Sequence, residues 1–119
     1  MQTRSAKAKG RRLQDEVQEM LLEHFKDTLE PDDIRKAIMG ESGTDLKLSP
    51  AAKRVFPFSV ECKNQEKLNI WGALKQAQEN TVEGTDPLLI FKRNRSDTYV
   101  SLRMETFLKL LQSRLDKSE

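Results

Sequence analysis

Apolar residues recur at helical spacing from Leu13 through Val17, Met20 and Leu21, with Phe25 near the edge of the stripe, which predicts a first helix. Gln14 and Glu16 sit on the two borders of that stripe and Glu19 and Glu23 lie farther toward solvent, while His24 falls on it, as a partly buried side chain. The next stretch, "LEPDDIRKAIMG", opens with a helix-start pattern, but Ile34, Ile38 and Met39 are too few to separate a short helix from a strand. "TDLKLS" alternates, with Leu46 and Leu48 on one face and Asp45 and Lys47 on the other, which is strand spacing. Ser49 as a cap and Pro50 in the first helical position predict a helix of one or two turns, and "PFSVECK" follows as a second strand.

Helical spacing returns at Ile70, Leu74 and Ala77, with Trp71 beside the stripe and assigned to the core. The apolar run in "DPLLIFKR" suits a central strand, "NRSD" a turn, and "TYVSL" the returning arm of a hairpin. Phe107, Leu108, Leu111 and Leu115 share one face of a last helix, expected to cover the sheet. Helix, strands, helix, hairpin, helix is the order of an α/β domain with a small mixed β-sheet flanked by helices.

A chain of 119 residues supports one core. Residues 1–12 read as a basic, flexible arm and residues 13–119 as a single domain. No apolar run approaches the length of a membrane span, and the basic N-terminus lacks the apolar stretch of a secretory signal. The single cysteine rules out an internal disulfide or a cysteine-based zinc site, so a soluble, cytoplasmic protein is expected.

The net charge of +2 conceals a segregation. Arg4, Lys7, Lys9, Arg11 and Arg12 precede every acidic residue, residues 15–33 are strongly acidic, and "FKRNR" supplies Lys92, Arg93 and Arg95. Basic clusters bracketing acids suit a protein that grips phosphates and holds a divalent metal, although the acidic helix surface itself reads as a solvated face. Lys9, Arg11, Arg12, Lys67, Lys75, Lys92, Arg93 and Arg95 are the expected contacts to a nucleic-acid backbone, which confer affinity without sequence information.

The stretch "SVECKNQE", residues 59–66, places Glu61 and Lys63 on one face of a strand and Val60 and Cys62 on the other. Charges beside buried neighbours are costly unless paired, metal-bound or used. An ion pair on a solvent face is the ordinary explanation, and Asp45 at the start of the preceding strand shifts the balance toward catalysis. Two carboxylates from neighbouring strands and a backbone carbonyl between them supply the hard oxygen donors that Mg²⁺ requires, and a lysine beside them can position water and offset negative charge in phosphodiester hydrolysis. Cys62 reads as a small core residue, since no histidine lies near it in sequence to activate a thiol. Glu41 and Ser42 are weaker candidates for a metal-water or phosphate contact and read rather as ordinary loop polarity, while Gln76 and Gln78 suit an approach to phosphate and a polar helix border equally.

An acid at a turn, Asp45, followed downstream by a Glu-x-Lys strand, "ECK" at residues 61–63, resembles the PD-(D/E)XK nuclease superfamily. Thr44 stands where that pattern often has proline. "KGRRLQDEVQEMLLEHF", "MGESGTDLKLSP", "FPFSVECKNQEKLNIWGALKQAQ" and "PLLIFKRN" resemble the small phage-type Holliday junction resolvase-like members. The resemblance implies a restriction-endonuclease-like core and a Mg²⁺-dependent (or Mn²⁺-dependent) endonuclease acting on DNA, branched or structured DNA in particular. It implies Asp45, Glu61 and the Cys62 carbonyl as metal ligands and Lys63 as the residue that serves the water. Related resolvases carry a first-helix glutamate where this chain has Gln14, and Glu16 is the acid nearby that takes the catalytic assignment. A homodimer is expected from the family and from the difficulty one small domain has in cutting two strands, with the cytoplasm of a host cell as the location if the protein is viral. The alternatives are a restriction or homing-type endonuclease and a non-catalytic nucleic-acid-binding module.

Overall fold

The computed structural model of the protein describes residues 4–117. Helix α1 runs over Arg4–His24 and leads through a single 3₁₀ turn, Pro31–Asp33, into strand β1, Ile34–Lys36. Strand β2, Leu46–Leu48, pairs antiparallel with β1, in the register Ile34 with Leu48. The turn and the short helix α2, Pro50–Val55, are tied together by one side chain. The Ser49 hydroxyl accepts the Ala52 N–H at 3.0 Å and donates to Asp33 at 2.7 Å. Asp33 also accepts the Glu30 N–H at 2.7 Å, and these hydrogen bonds hold its carboxyl below the usual range.

Strand β3, Phe58–Asn64, lies parallel to β4, Asp86–Lys92, in the register Glu61 with Leu89 and Lys63 with Phe91. Parallel neighbours require a crossover, supplied by helix α3, Ile70–Glu79. Strand β5, Tyr99–Ser101, returns antiparallel along β4, and helix α4, Met104–Lys117, ends the described chain. The architecture is the expected α/β one, small sheets of two and three strands flanked by helices, consistent with a restriction-endonuclease-like fold. A backbone bond from Asp45 N–H to the Val60 carbonyl at 2.9 Å links the two sheets.

Alternation along the strands divides the residues into two sides. Val60, Cys62, Leu88 and Ile90 join the core with Leu13 and Val17 of α1, and α3 packs over β3 and β4 with Ala73 and Ala77 buried. Small residues at those two positions let α3 sit close to the sheet.

Four expectations change. The basic segment is helical from Arg4, so the first helix does not begin at Leu13, and residues 1–3 of the expected arm lie outside the described residues. The ambiguous stretch resolves into the 3₁₀ turn and β1. Trp71 is 78% exposed rather than in the core, because two residues of helix rotate it about 200° from Ala73, onto the far side of α3. His24 is exposed rather than partly buried, its ring lying edge-on to Phe25 at 4.7 Å while Phe25 faces the ring of Phe56.

The last helix also departs from expectation. Phe107, Leu108, Leu111 and Leu115 are exposed, and Thr106 is the buried residue of α4. The helices that pack on the three-stranded sheet are α1, against β3, and α3, against β3 and β4. Among the described residues, no helix is long and apolar enough to cross a membrane.

Candidate active site

Asp45 stands at the seam between the two sheets, with its backbone pinned on both sides. Its N–H donates to Val60 and its carbonyl accepts the Ala37 N–H, each at 2.9 Å. The preceding Thr44 is buried and donates to the Leu46 carbonyl at 2.7 Å. Gly43 takes a φ of 93°, which a side chain would resist, and a Cβ there would meet Lys47 Nζ at 3.0 Å. So held, the Asp45 carboxylate accepts the Cys62 N–H at 2.7 Å.

Glu61 is one residue earlier on β3, on the opposite side of the pleat from Cys62, and is only 2% exposed. Its Oε1 accepts the side-chain amide of Asn80, the C-cap of α3, at 2.8 Å. Burial and the neighbouring Asp45 charge push the Glu61 carboxyl up to about 7, against the opposing pull of Asn80 and Lys63. Burial likewise raises the Asp45 carboxyl, opposed by the Cys62 N–H and by Lys63. Lys63 follows on the Glu61 face, half-buried, and makes no ion pair among the described residues. Its charge acts on both acids without being consumed by either.

Cys62 is buried in the core, and burial followed by the nearby carboxylates pushes its thiol up, so it stays protonated and is no nucleophile. Its backbone matters more. In a ladder a residue's N–H and C=O point to the same edge, so the N–H that meets Asp45 puts the Cys62 carbonyl on the Asp45 side as well. Two carboxylates and one carbonyl fit a hard, oxygen-seeking divalent cation that keeps several of its own waters. Among the described residues, no group of three or more acidic, histidine or cysteine side chains is placed to hold a metal ion, so this donor set is a sparse one.

A hollow of about 250 Å³ opens over these groups, lined by Asp45, Glu61, Lys63, Gln65 and Gln76 and, from α1, by Lys7, Gly10, Arg11 and Gln14. Asn64 docks α1 here by donating to the Lys9 carbonyl at 3.4 Å. Of the two polar residues bordering the α1 stripe, Gln14 lines the hollow, whereas Glu16, assigned as catalytic from sequence, is exposed and does not. Of the expected phosphate contacts, Arg11 reaches the site, whereas Lys92 and Arg93 line a separate hollow that shares Gln65 with it. Arg12, Lys67 and Arg95 are exposed, and Lys75 pairs with Glu79 at 3.9 Å on the outer side of α3. Asn80, Gln65 and Gly10 escaped the sequence reading: Asn80 gives a C-cap signal but none for its bond to Glu61, Gln65 gives none, and Gly10 falls in the segment read as a flexible arm.

The model of the phage putative PDDEXK endonuclease family matches residues 5–118, which takes in the basic segment, the carboxylate strands and α4. No curated protein matches the chain, and no solved structure does.

Proposed function

The chain belongs to the phage putative PDDEXK endonuclease family, a nuclease family, and from that premise we propose that it is a Mg²⁺- or Mn²⁺-dependent endodeoxyribonuclease of branched or otherwise distorted DNA, working as a homodimer. The observation that carries the reading is the convergence of Asp45 and Glu61, both with raised carboxyl pKa, beside the unpaired ammonium of Lys63. Two carboxylates forced together in a buried place repel each other, and a divalent cation removes that repulsion. Asp45, Glu61 and the Cys62 carbonyl would hold it. When bound, such a cation supplies Lewis acidity toward phosphoryl oxygens.

The chain's own groups do the rest. Lys63 lines the hollow, and its ammonium would orient the attacking water and offset the negative charge that grows on the phosphoryl group. Asn80 holds Glu61 in one rotamer, and the Cys62 N–H holds Asp45. Arg11, Lys7 and Gln14 line the side of the hollow toward α1 and contact the phosphates that flank the scissile one. The dimer is supported by α4, whose uncovered apolar side chains would be paired by a second copy of the same patch.

The test is cleavage of end-labelled four-way junction, flap, linear duplex, single-stranded DNA and RNA in Mg²⁺ and in Mn²⁺, with Lys63→Ala alongside. Wild type should cut branched DNA, and the variant should be slower by about 10²-fold or more while binding the same DNA. A wild-type protein that cuts none of these substrates in either metal overturns the proposal.

A further inference from the structure

Nine residues from Ala37 to Asp45 form the loop between β1 and β2, and its neck is closed at the site itself, by the Ala37 N–H on the Asp45 carbonyl at 2.9 Å. At the outer end, the Glu41 N–H donates to the Ile38 carbonyl at 2.9 Å, and Gly40 takes a φ of 85°, the pattern of a type II turn with glycine in its third position. Polar bonds brace this turn. Glu41 accepts the Ile38 N–H at 3.0 Å and both arms of the Arg35 guanidinium at 3.2 Å, and Lys47 donates to the Ser42 carbonyl at 2.8 Å. The side chains at its apex are Ile38, 71% exposed, and Met39, 87% exposed.

An isolated exposed apolar residue is ordinary on any surface. Two adjacent ones at the apex of a turn braced wholly by polar bonds are not explained by packing, since neither belongs to the core. Their position gives them a use. Ile38 and Met39 line a hollow of about 310 Å³ with Arg11, Gln14 and Asp45, and those last three also wall the carboxylate hollow, so the apex overlooks the place where a scissile phosphate would lie. Arg11 lines it as well, and Lys36 at its edge is ion-paired with Asp15.

We infer that Ile38 and Met39 are a wedge that inserts between bases beside the scissile phosphate and selects DNA whose stacking is already broken or easily broken. The inference rests on the nuclease reading for the nature of its substrate. Apolar side chains of this kind, driven into a base step, unstack it and kink the duplex. Insertion is least costly at a branch point, a mismatch or a flexible pyrimidine–purine step, so a short braced wedge beside the carboxylates converts a general phosphodiester site into one that prefers distorted DNA. Because the neck of the loop is Asp45, the distance from wedge to carboxylate is held by backbone hydrogen bonds, and the cut should fall at a constant offset from the unstacked step.

The experiment uses the full chain in EDTA, which stops metal-dependent cleavage, and a four-way junction carrying 2-aminopurine at successive positions around the branch. Wild type should raise the fluorescence at one or two positions next to the site that is cut when Mg²⁺ is added. Ile38→Ser with Met39→Ser, two exposed positions whose replacement leaves the thermal melt in place, should abolish that rise and weaken junction binding by about tenfold while changing linear duplex binding less than about twofold. Met39→Phe should keep the signal. Equal fluorescence from wild type and the double serine variant overturns the wedge, as does failure of wild type to change any position. A variant that alters sedimentation while leaving the DNA signal intact overturns it too, and assigns the turn to a protein contact. A wedge signal from a protein that never cuts retains this inference and removes the nuclease reading, whereas cutting without the signal does the reverse.

Discussion

Replacing Glu61 by glutamine should stabilise the metal-free protein at neutral and alkaline pH and leave it unchanged in acid. Glu61 is buried beside Asp45, and its carboxyl rises from 4.5 to about 7 on folding. At about 1.4 kcal/mol for each tenfold, that rise is a destabilisation of about 3 kcal/mol once the group is ionised in both states. Below the unfolded value both states are protonated and the group costs nothing. Between 4.5 and about 7 the unfolded chain ionises first, so stability falls as pH rises, and above that range the full cost persists. Glutamine keeps an oxygen for Asn80 and offers Asp45 an amide donor without charge. In EDTA the variant should therefore melt on the order of 10 °C above wild type at pH 8 and alongside it at pH 4, by calorimetry or circular dichroism. Divalent cation should close the gap from the other side, stabilising wild type by about 2.7 kcal/mol at a hundredfold excess over Kd and the variant far less. A variant advantage that does not change with pH, or a variant that melts below wild type at pH 8, would refute the account of a Glu61 carboxyl raised by its burial and, to a lesser extent, by the Asp45 charge.

Three further outcomes follow from the geometry. Gly10 lies inside α1 at the wall of the site, with nothing within 4 Å of an added Cβ, so Gly10→Ala should raise stability by about 1 kcal/mol in urea melts; it should also slow cleavage if substrate backbone passes there, and unchanged cleavage would show that it does not. Arg95 occupies the left-handed region at φ 62°, a strained conformation for a residue with a side chain, so Arg95→Gly should leave stability equal or raise it by up to about 1 kcal/mol. If that arginine touches phosphate, the same change lowers the salt slope of DNA binding by about 1, and an unaltered slope removes it from the interface. Leu108→Glu with Leu111→Glu, on the exposed face of α4, should convert a dimer to a monomer in sedimentation while keeping the circular dichroism spectrum, and should remove the dependence of the melt on protein concentration; no change in mass would place the dimer surface elsewhere.

What could be read from the sequence, and what could not, divides along the range of the forces involved. Strand alternation is local, and it correctly puts Glu61 and Lys63 on one face and Cys62 on the other. The Ser49 and Pro50 start of α2 is local as well. The choice between Gln14 and Glu16 is not, because both border the stripe made by Leu13 and Val17 and only the docking of α1 on β3 says which border faces the carboxylates. Trp71 and α4 fail for the same reason. A helical period identifies an apolar side without naming what it packs against, and here Ala73 and Ala77 took the sheet while α4 was left without one. The Asn80 bond to Glu61 spans 19 residues and leaves no trace in local pattern.

The site is consequently a product of strand register more than of any one side chain. Asp45 meets β3 through two hydrogen bonds, its N–H to Val60 and its carboxylate to the Cys62 N–H, and these straddle Glu61. A slip of one residue along β3 would turn Glu61 and Lys63 into the core and present Val60 and Cys62 to the hollow. Such a slip would bury two charges against Leu13 and Val17, so the apolar face of β3 that builds the core also enforces the alignment of the acids. The same clamp fixes the neck of the loop that carries Ile38 and Met39. Carboxylates, lysine and wedge are thus placed by one set of backbone bonds, and loosening that seam should impair cutting and structure selection together.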